Sequence, residues 1–443
     1  MTAQPTEAVN PHFLNHVVAT GRSHQVSASE DILASNGMKL IAKGARIDDS
    51  VRERLLAHKL RKPLEDCMQV DAGSTSLQIE AVALLLMQKH PLLRALCASE
   101  RARGVPASLA ALKLSVPLES LFTVYTQCHD GRMEHTVGVA MIALALARRL
   151  LPSQIDQHQR LAIAGLVHDV GELYIDPAFM QKGTRLETSK WRHIVTHPLV
   201  GHDVLQRLAG AGEVVANAVL LHHERLDGFG YPRNVSGDEF TLDGQIIAAA
   251  EWLMALVESG SSPLARARMA HRLVPGEFSP ALLDAVSSAA RAAPDEPVEL
   301  SSAEPLAEAV PRIVRLAGTL GRFAQARPWI DERIAEAAPA LRSVLESGLQ
   351  RTLRIQASFA STGLDAHNAE QLLRDMAALQ APSVYAEITT LVGELEWRMR
   401  ELERNQRLRA SLLAPPDKAV VADLIARLRG NAASTEPVTP PAA

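Results

Sequence analysis

The segment Arg160–Val170, RLAIAGLVHDV, is apolar almost all round and yet closes on an adjacent histidine and aspartate, His168 and Asp169. A helix with apolar residues on every side belongs in a protein interior. An imidazole and a carboxylate carried there are costly unless a charged partner meets them. The fold must therefore bring such a partner to the end of this helix, and a divalent cation is one.

Four other points offer matching ligands, each on or at the end of a different expected helix: His135, His197, the pair His222-His223, and Glu251. The gaps are 33 residues from 135 to 168, 29 to 197, 25 to 222, and 28 from 223 to 251. Each is one helix plus its connection, so helices packed side by side can aim these groups at one interior point. Five imidazoles and two carboxylates exceed what one tetrahedral zinc takes; they suit two divalent ions bridged by Asp169. A bridged pair activates water and clamps a phosphoryl oxygen, which is phosphodiester hydrolysis. His129, His158, His193 and His202 are read as surface residues or as supports behind the ligands.

Around this region the chain reads as helical. Met133, Val137, Ala140, Leu144 and Ala147 form a stripe at helical spacing, and EVVANAVLLHH and DGQIIAAAEWLMALV supply two more helices. Trp191, Ile194, Val195, Leu199, Val204 and Leu208 give another, which Pro198 must bend or restart. The expected fold is all-α, a helical bundle with a small N-terminal α+β segment and additional C-terminal helices. In the N-terminal segment, 1–75, residues 1–25 read as polar and mobile. A hairpin turning at Asn36-Gly37 follows between Val26 and Lys43, then a helix capped by Asp48 or Asp49 and running through Leu60. Residues 76–128 read as two or three connecting helices, 129–262 as the domain with the ligands, 263–430 as a C-terminal helical region. The tail 431–443 reads as disordered. The long helix from Tyr385 carries dense charge on its outer face, read as solvated, with homodimerisation as the alternative.

The 443 residues are 47% apolar, enough for a sizeable core, and 46 basic residues against 50 acidic leave no net pull toward DNA or anionic lipid. Cys67, Cys97 and Cys128 are too dispersed for a disulfide framework. The longest apolar runs, such as Ala81–Met87, fall short of the ~20 residues of a membrane span. The opening MTAQPTEAVNPHF lacks the pattern of a signal peptide. A cytoplasmic location is expected.

The run His222-His223-Glu224-Arg225-Leu226-Asp227-Gly228-Phe229-Gly230-Tyr231-Pro232, with LAIAGLVHDVGELYI before it, resembles the HD-GYP family of bacterial cyclic-di-GMP phosphodiesterases, a branch of the HD phosphohydrolases. The likeness spans about 125 residues of the chain. It implies an HD-type all-α bundle and two divalent transition-metal ions, iron or manganese by preference. His135, His168 and Asp169 would serve the first ion, and Asp169, His197, His222 and His223 the second. Asp169 is then the catalytic bridge, and Arg225, Asp227, Gly230, Tyr231 and Pro232 become candidate contacts to a cyclic dinucleotide. Protein partners in second-messenger signalling are a further expectation.

The chain departs from the family at several positions. Glu172 stands where the family has a phosphate-facing lysine, so a carboxylate is expected beside the anion, and restoring lysine is expected to raise turnover. Pairing of Glu172 with Lys182 or Arg185 is the alternative. Glu251 and Met254 replace aspartates, Gly260-Ser261-Ser262 replaces an Arg-Pro-Tyr segment, and Gly131 replaces a glutamate that brings a third metal in some members. Arg266 and Arg268 are the nearest arginines to stand in for the missing one. An intact ligand set with a weakened phosphate grip leaves two readings open: a cyclic-di-GMP phosphodiesterase, and a degenerate module that signals by contact.

Overall fold

Asn10 and Pro11 precede apolar residues at 13, 14, 17 and 18, the start signal and spacing of an amphipathic helix. The computed structural model describes residues 8–71, 73–98, 104–180, 188–259, 262–294, 306–378 and 382–430. It shows this helix as α1 (Pro11–Thr20). Asn10 Oδ1 accepts from the backbone N–H groups of His12 and Phe13 at 2.9 and 3.1 Å, and Phe13, Leu14, Val17 and Val18 are buried. The mobile leader expected through residue 25 is thus corrected from Asn10 onward, because a polar-looking stretch hides a buried apolar face. Residues 1–7 lie outside the described residues.

Three short strands follow, β1 (Val26–Ala28), β2 (Ile32–Leu33) and β3 (Lys39–Ile41). The expected hairpin is confined to β2 and β3, with Gly37 at φ 88° in its turn; β1 instead pairs antiparallel with β4 (Met68–Val70). Asp48 caps α2 (Asp49–Leu56) through the Ser50 N–H at 3.0 Å. That helix stops short of Leu60, since Lys59 and Leu60 are drawn into bridges with Ala8 and Ala34. A single turn, α3 (Leu64–Cys67), precedes β4.

Among the described residues, 76–128 form four helices rather than two or three: α4 (Ser76–Lys89), α5 (Pro91–Cys97), α6 (Val105–Ala110) and α7 (Val116–Gln127). Pro91, Pro106 and Pro117 each sit in a first turn and divide what reads as continuous helix. The centre is α8 (Arg132–Leu150) against α9 (Ile155–Val167). Every residue of α8 from Thr136 to Ala147 is buried, so the expected stripe is a helix enclosed on all sides by α4, α5, α9 and α13 (Leu242–Ser259). After α9 comes a 3-10 turn, Val170–Tyr174, then α10 (Thr188–Ile194), α11 (His197–Arg207) and α12 (Gly212–Leu220). The helix expected to bend at Pro198 restarts there, with Pro198 in the first turn of α11.

Two compact units result. The first covers residues 1–268 and 277–293 and includes α14 (Pro263–Arg268); the stretches 1–75 and 76–128 lie within it. The second, 269–276 and 294–443, begins with α15 (Ala270–Leu273), while α16 (Pro280–Ala292) returns to the first. The second unit holds α17 (Leu306–Glu336), α18 (Pro339–Ala360), α19 (Ala369–Ala378), α20 (Pro382–Ala410) and α21 (Pro415–Arg429). Its core gathers Phe323, Ile330, Leu341, Leu345, Leu424 and Ile425. The charged face of α20 is not uniformly solvated: Arg398 is 2% exposed and pairs with Glu394 at 3.0 Å. The tail 431–443 lies outside the described residues, and among those described no helix is long and apolar enough to cross a membrane.

Burial of α1 has a measurable consequence. Phe13 is 1% exposed, and its ring stacks on Tyr174 at 4.9 Å. Phe13→Ala is expected to cost about 3–5 kcal/mol of unfolding free energy, read by chemical denaturation. A change under ~0.5 kcal/mol is the behaviour of a mobile leader instead.

Candidate metal centre

The first turn of α8 carries His135, α9 ends at His168 with Asp169 next, α11 begins at His197, His222 and His223 follow α12, and Glu251 lies in the middle of α13. The fold brings all seven together in two groups: His135, His168 and Glu251 in one, Asp169, His197, His222 and His223 in the other. Asp169 joins them. Its Oδ1 lies 3.3 Å from Nε2 of both His197 and His222, and its Oδ2 lies 3.2 Å from Nε2 of His168 and 3.8 Å from that of His135. Gly171 makes this approach feasible, since a Cβ there would collide with the carbonyl of His197.

The outer nitrogens of the histidines settle which atoms face inward. Nδ1 of His168, His197 and His222 lies 2.9, 2.8 and 2.5 Å from the carbonyl oxygens of Gly165, Ile194 and Val219, and Nδ1 of His135 lies 2.7 Å from Glu258 Oε1. These partners only accept, so each Nδ1 is assigned the hydrogen, and each ring in its neutral form turns a bare Nε2 lone pair to the interior. The lone pairs then face one another, at 3.0 Å between His197 and His222 and 3.2 Å between His135 and His168. Glu251 Oε2 is buried with no hydrogen-bond partner, although it lies 3.2 and 3.3 Å from the Nε2 atoms of His135 and His168. Converging lone pairs and an orphaned carboxylate oxygen need positive charge between them. The donor set fits divalent cations, with imidazoles held from behind as metal-ligating histidines are.

The electrostatics show the same demand for positive charge: burial lowers His135 and His168, but Glu251 and Asp169 overcome it, raising His135 well above its ordinary value and His168 to about 10, so these rings take up protons where no cation meets the carboxylates. Burial pushes the Asp169 carboxyl up, but His168, His197 and His222 around it hold it well below the usual carboxylate range. Burial acts likewise on Glu251, and His135 and His168 overcome it. Burial draws His222 down to about 4 and His223 well below the ordinary value, so both are neutral donors at physiological pH.

Glu172 corrects the expectation that it meets the phosphate unpaired. It forms a short ion pair with Arg132, and its Oε2 accepts from the Tyr125 hydroxyl at 3.2 Å. Arg132 Nη1 also lies 3.9 Å from Asp169 Oδ2, and the Tyr125 hydroxyl lies 3.2 Å from the same oxygen. A cation that balances Glu172 comes from α8, one turn before His135; Lys182 and Arg185, the expected partners, lie outside the described residues. Arg132 and Tyr125 escaped the sequence reading. The i, i+3 spacing from Arg132 to His135 was a usable signal, as was the two-turn spacing from Glu251 to Glu258 on α13; Tyr125 had none.

The loop after His223 is closed by Glu224, a fully buried carboxylate accepting from the N–H groups of Arg233 and Val235 at 2.6 and 3.1 Å. A Cβ on Gly230 would strike the backbone of Glu224 and Arg225, so glycine is required there. The Tyr231 ring thereby stacks on His223, with centroids 4.5 Å apart, beside Pro232 across a cis bond. Two of the expected dinucleotide contacts point elsewhere. Arg225 pairs with Glu277 at 3.4 Å and covers Phe278, while Asp227 accepts from the Phe229 N–H within its own turn. Arg266 and Arg268 are bound to Ser259 Oγ and to the carbonyls of Ala290 and Ala293. His158, expected at the surface or behind the ligands, is buried with Nε2 2.7 Å from the Leu151 carbonyl. Gly260 and Ser261 lie outside the described residues.

Residues 110–272 match the family model of the HD domain. A 3'3'-cGAMP-specific phosphodiesterase of Vibrio cholerae is 34% identical over 169 residues, 37% of this chain and 36% of that protein. A second from the same organism is 34% identical over 126 residues, 28% of this chain and 29% of that protein. A cyclic di-GMP phosphodiesterase of Pseudomonas aeruginosa is 32% identical over 109 residues, 24% of this chain and 26% of that protein. The chain thus spans about a third or less of the length of these relatives.

Two outcomes test the geometry. Elemental analysis of reconstituted protein is expected to find close to two equivalents of a transition metal, with most of it lost in Asp169→Ala. Glu258→Gln is expected to weaken the His135 site by about 10–100-fold. Separately, Glu172→Lys sets two cations together, so thermal unfolding is expected to show a loss of roughly 3 kcal/mol, with no gain in turnover. A more active Glu172→Lys protein would return Glu172 to the phosphate.

Proposed function

Residues 110–272 are an HD domain of the HD-GYP family, and on that premise we propose that the chain hydrolyses a phosphodiester bond of a cyclic dinucleotide, cyclic-di-GMP by preference, at a centre of two divalent cations. The observation that carries this reading is Asp169, whose two carboxylate oxygens reach the two histidine groups separately. The first cation falls to His135, His168, Asp169 and Glu251, and the second to Asp169, His197, His222 and His223. Such ions supply Lewis acidity toward a phosphoryl oxygen and bring the pKa of a bound water toward neutrality. Mixed imidazole and carboxylate donors suit iron or manganese.

The protein's own groups do the rest. Gly165, Ile194, Val219 and Glu258 fix the imidazole orientations from behind. Arg132 and Tyr125 meet the carboxylates on the Asp169 side, so Glu172 enters the site already paired. That pairing supports catalysis over a purely signalling module, because the unopposed repulsion of an anionic substrate disappears. Glu224 and Gly230 hold Tyr231 against His223, where its ring stands ready to flank a base or ribose. Arg225 and Asp227 act here as supports of that loop rather than as substrate contacts.

The test is turnover by protein reconstituted with Mn²⁺ or Fe²⁺, offered cyclic-di-GMP and 3'3'-cGAMP separately, with products resolved chromatographically. Linear dinucleotide or mononucleotide is expected from cyclic-di-GMP, and Asp169→Asn is expected to lower kcat/KM roughly hundredfold or more. Wild-type protein with two metals and no turnover of either compound sinks the proposal.

A further inference from the structure

A cavity of about 550 Å³ is lined by the N-terminal segment, by Tyr174 of the 3-10 turn that follows Asp169, and by α11, which begins at His197. Its volume is that of a small-molecule site, where a mostly apolar wall is broken by a few polar groups. Tyr174 supplies half-buried aromatic surface, backed by the buried ring of Phe13 stacked on it at 4.9 Å and 6° from parallel. Among the described residues the ionisable lining is acidic on balance, Glu65, Asp66 and Asp203 against the guanidinium of Arg207; burial raises the carboxyls of Glu65 and Asp66, and a cation between them would oppose that. Glu65 is 8% exposed, and its carboxylate accepts from the Tyr174 hydroxyl. Carboxylates set beside aromatic rings are the combination that recognises an ammonium group on an apolar body.

The walls lead back to the metal centre. Tyr174 closes the turn that starts directly after Asp169, and its backbone carbonyl accepts from Asn10 Nδ2 at 3.2 Å. Val204 and Arg207 lie at the far end of α11, whose first residue is His197. Turn and helix are pressed together at Gly171, where no Cβ fits. A molecule seated in the cavity therefore bears on both elements that position the bridging carboxylate and one of its imidazole neighbours.

We propose that this cavity is an effector site for a small organic cation, its ammonium held between Asp66 and Glu65 and its apolar body laid along Tyr174, Val200 and Val204, and that occupancy stiffens the turn after Asp169.

The test uses the full metal-loaded chain and reads binding without turnover, so it stands apart from the fate of the phosphodiesterase reading. Phenethylamine and agmatine are titrated by calorimetry, with 2-phenylethanol as the uncharged counterpart of the first. At least one amine is expected to bind with Kd at or below about 1 mM, and 2-phenylethanol about tenfold or more weakly than phenethylamine. Asp66→Asn is expected to weaken the bound amine about tenfold, and Val204→Trp to abolish binding by filling the space, with circular dichroism checking that each variant folds. Hydrogen exchange over residues 170–174 is expected to slow when the amine is bound. No amine binding at about 10 mM, equal binding of phenethylamine and its alcohol, or binding that ignores Asp66→Asn overturns the site. Unchanged exchange over 170–174 overturns its link to the metal centre, and the Asp66→Asn comparison stands even where Val204→Trp does not fold.

Discussion

The architecture around the ligands depends on one carboxylate placed between lone pairs. Asp169 is nearly buried, and each of its oxygens faces a separate set of imidazole nitrogens. Those nitrogens cannot turn away, because their rings are tied at the far side to backbone carbonyls and to Glu258. Lone pairs at 3.0–3.2 Å and a buried carboxylate oxygen without a hydrogen bond are unfavourable in a low-dielectric interior unless a cation lies among them. The protein has paid in advance, through helix packing, for a place where positive charge is demanded.

Close backbone approaches make that placement achievable. Gly171 lets the turn after Asp169 touch the backbone of His197, and Gly230 lets the loop after His223 fold onto Glu224. Glu224 then spends a fully buried carboxylate on two backbone N–H groups of that loop, which holds Tyr231 over His223. Burial raises the Glu224 carboxyl to about 7, with the hydrogen bonds opposing it.

The Arg132–Glu172–Tyr125 cluster shows how one charge substitution is absorbed. A carboxylate three residues beyond Asp169 reads in one dimension as repulsion of an anion. In three dimensions a guanidinium from the neighbouring helix reaches it, and the same guanidinium lies 3.9 Å from Asp169. The pair leaves the local charge near zero where an unpaired Glu172 would leave it negative. The N-terminal segment has a comparable part: α1 stacks Phe13 on Tyr174, so a portion of the chain distant in sequence braces the turn that follows Asp169.

The helical class and the seven candidate ligands were legible in the chain through periodicity and spacing, while the loop from Gly228 to Pro232 was read through its resemblance to a known family. An apolar helix ending in His168-Asp169, and histidines spaced by one helix and its connection, declare their burial through periodicity alone. The hairpin turn at Gly37 and the restart at Pro198 were readable for the same reason, since φ is restricted residue by residue. Other features could be decided only by tertiary packing. Whether Glu172 stood beside substrate or beside Arg132, whether Arg225 reached a nucleotide or Glu277, and whether α1 was a leader or a buried helix all depended on pairings 40 to 164 residues apart. Pattern in a sequence reports which face of an element is buried; which charge meets which is set by how the elements pack, because Coulomb and hydrogen-bond energies depend on distance in space and carry no periodicity along the chain.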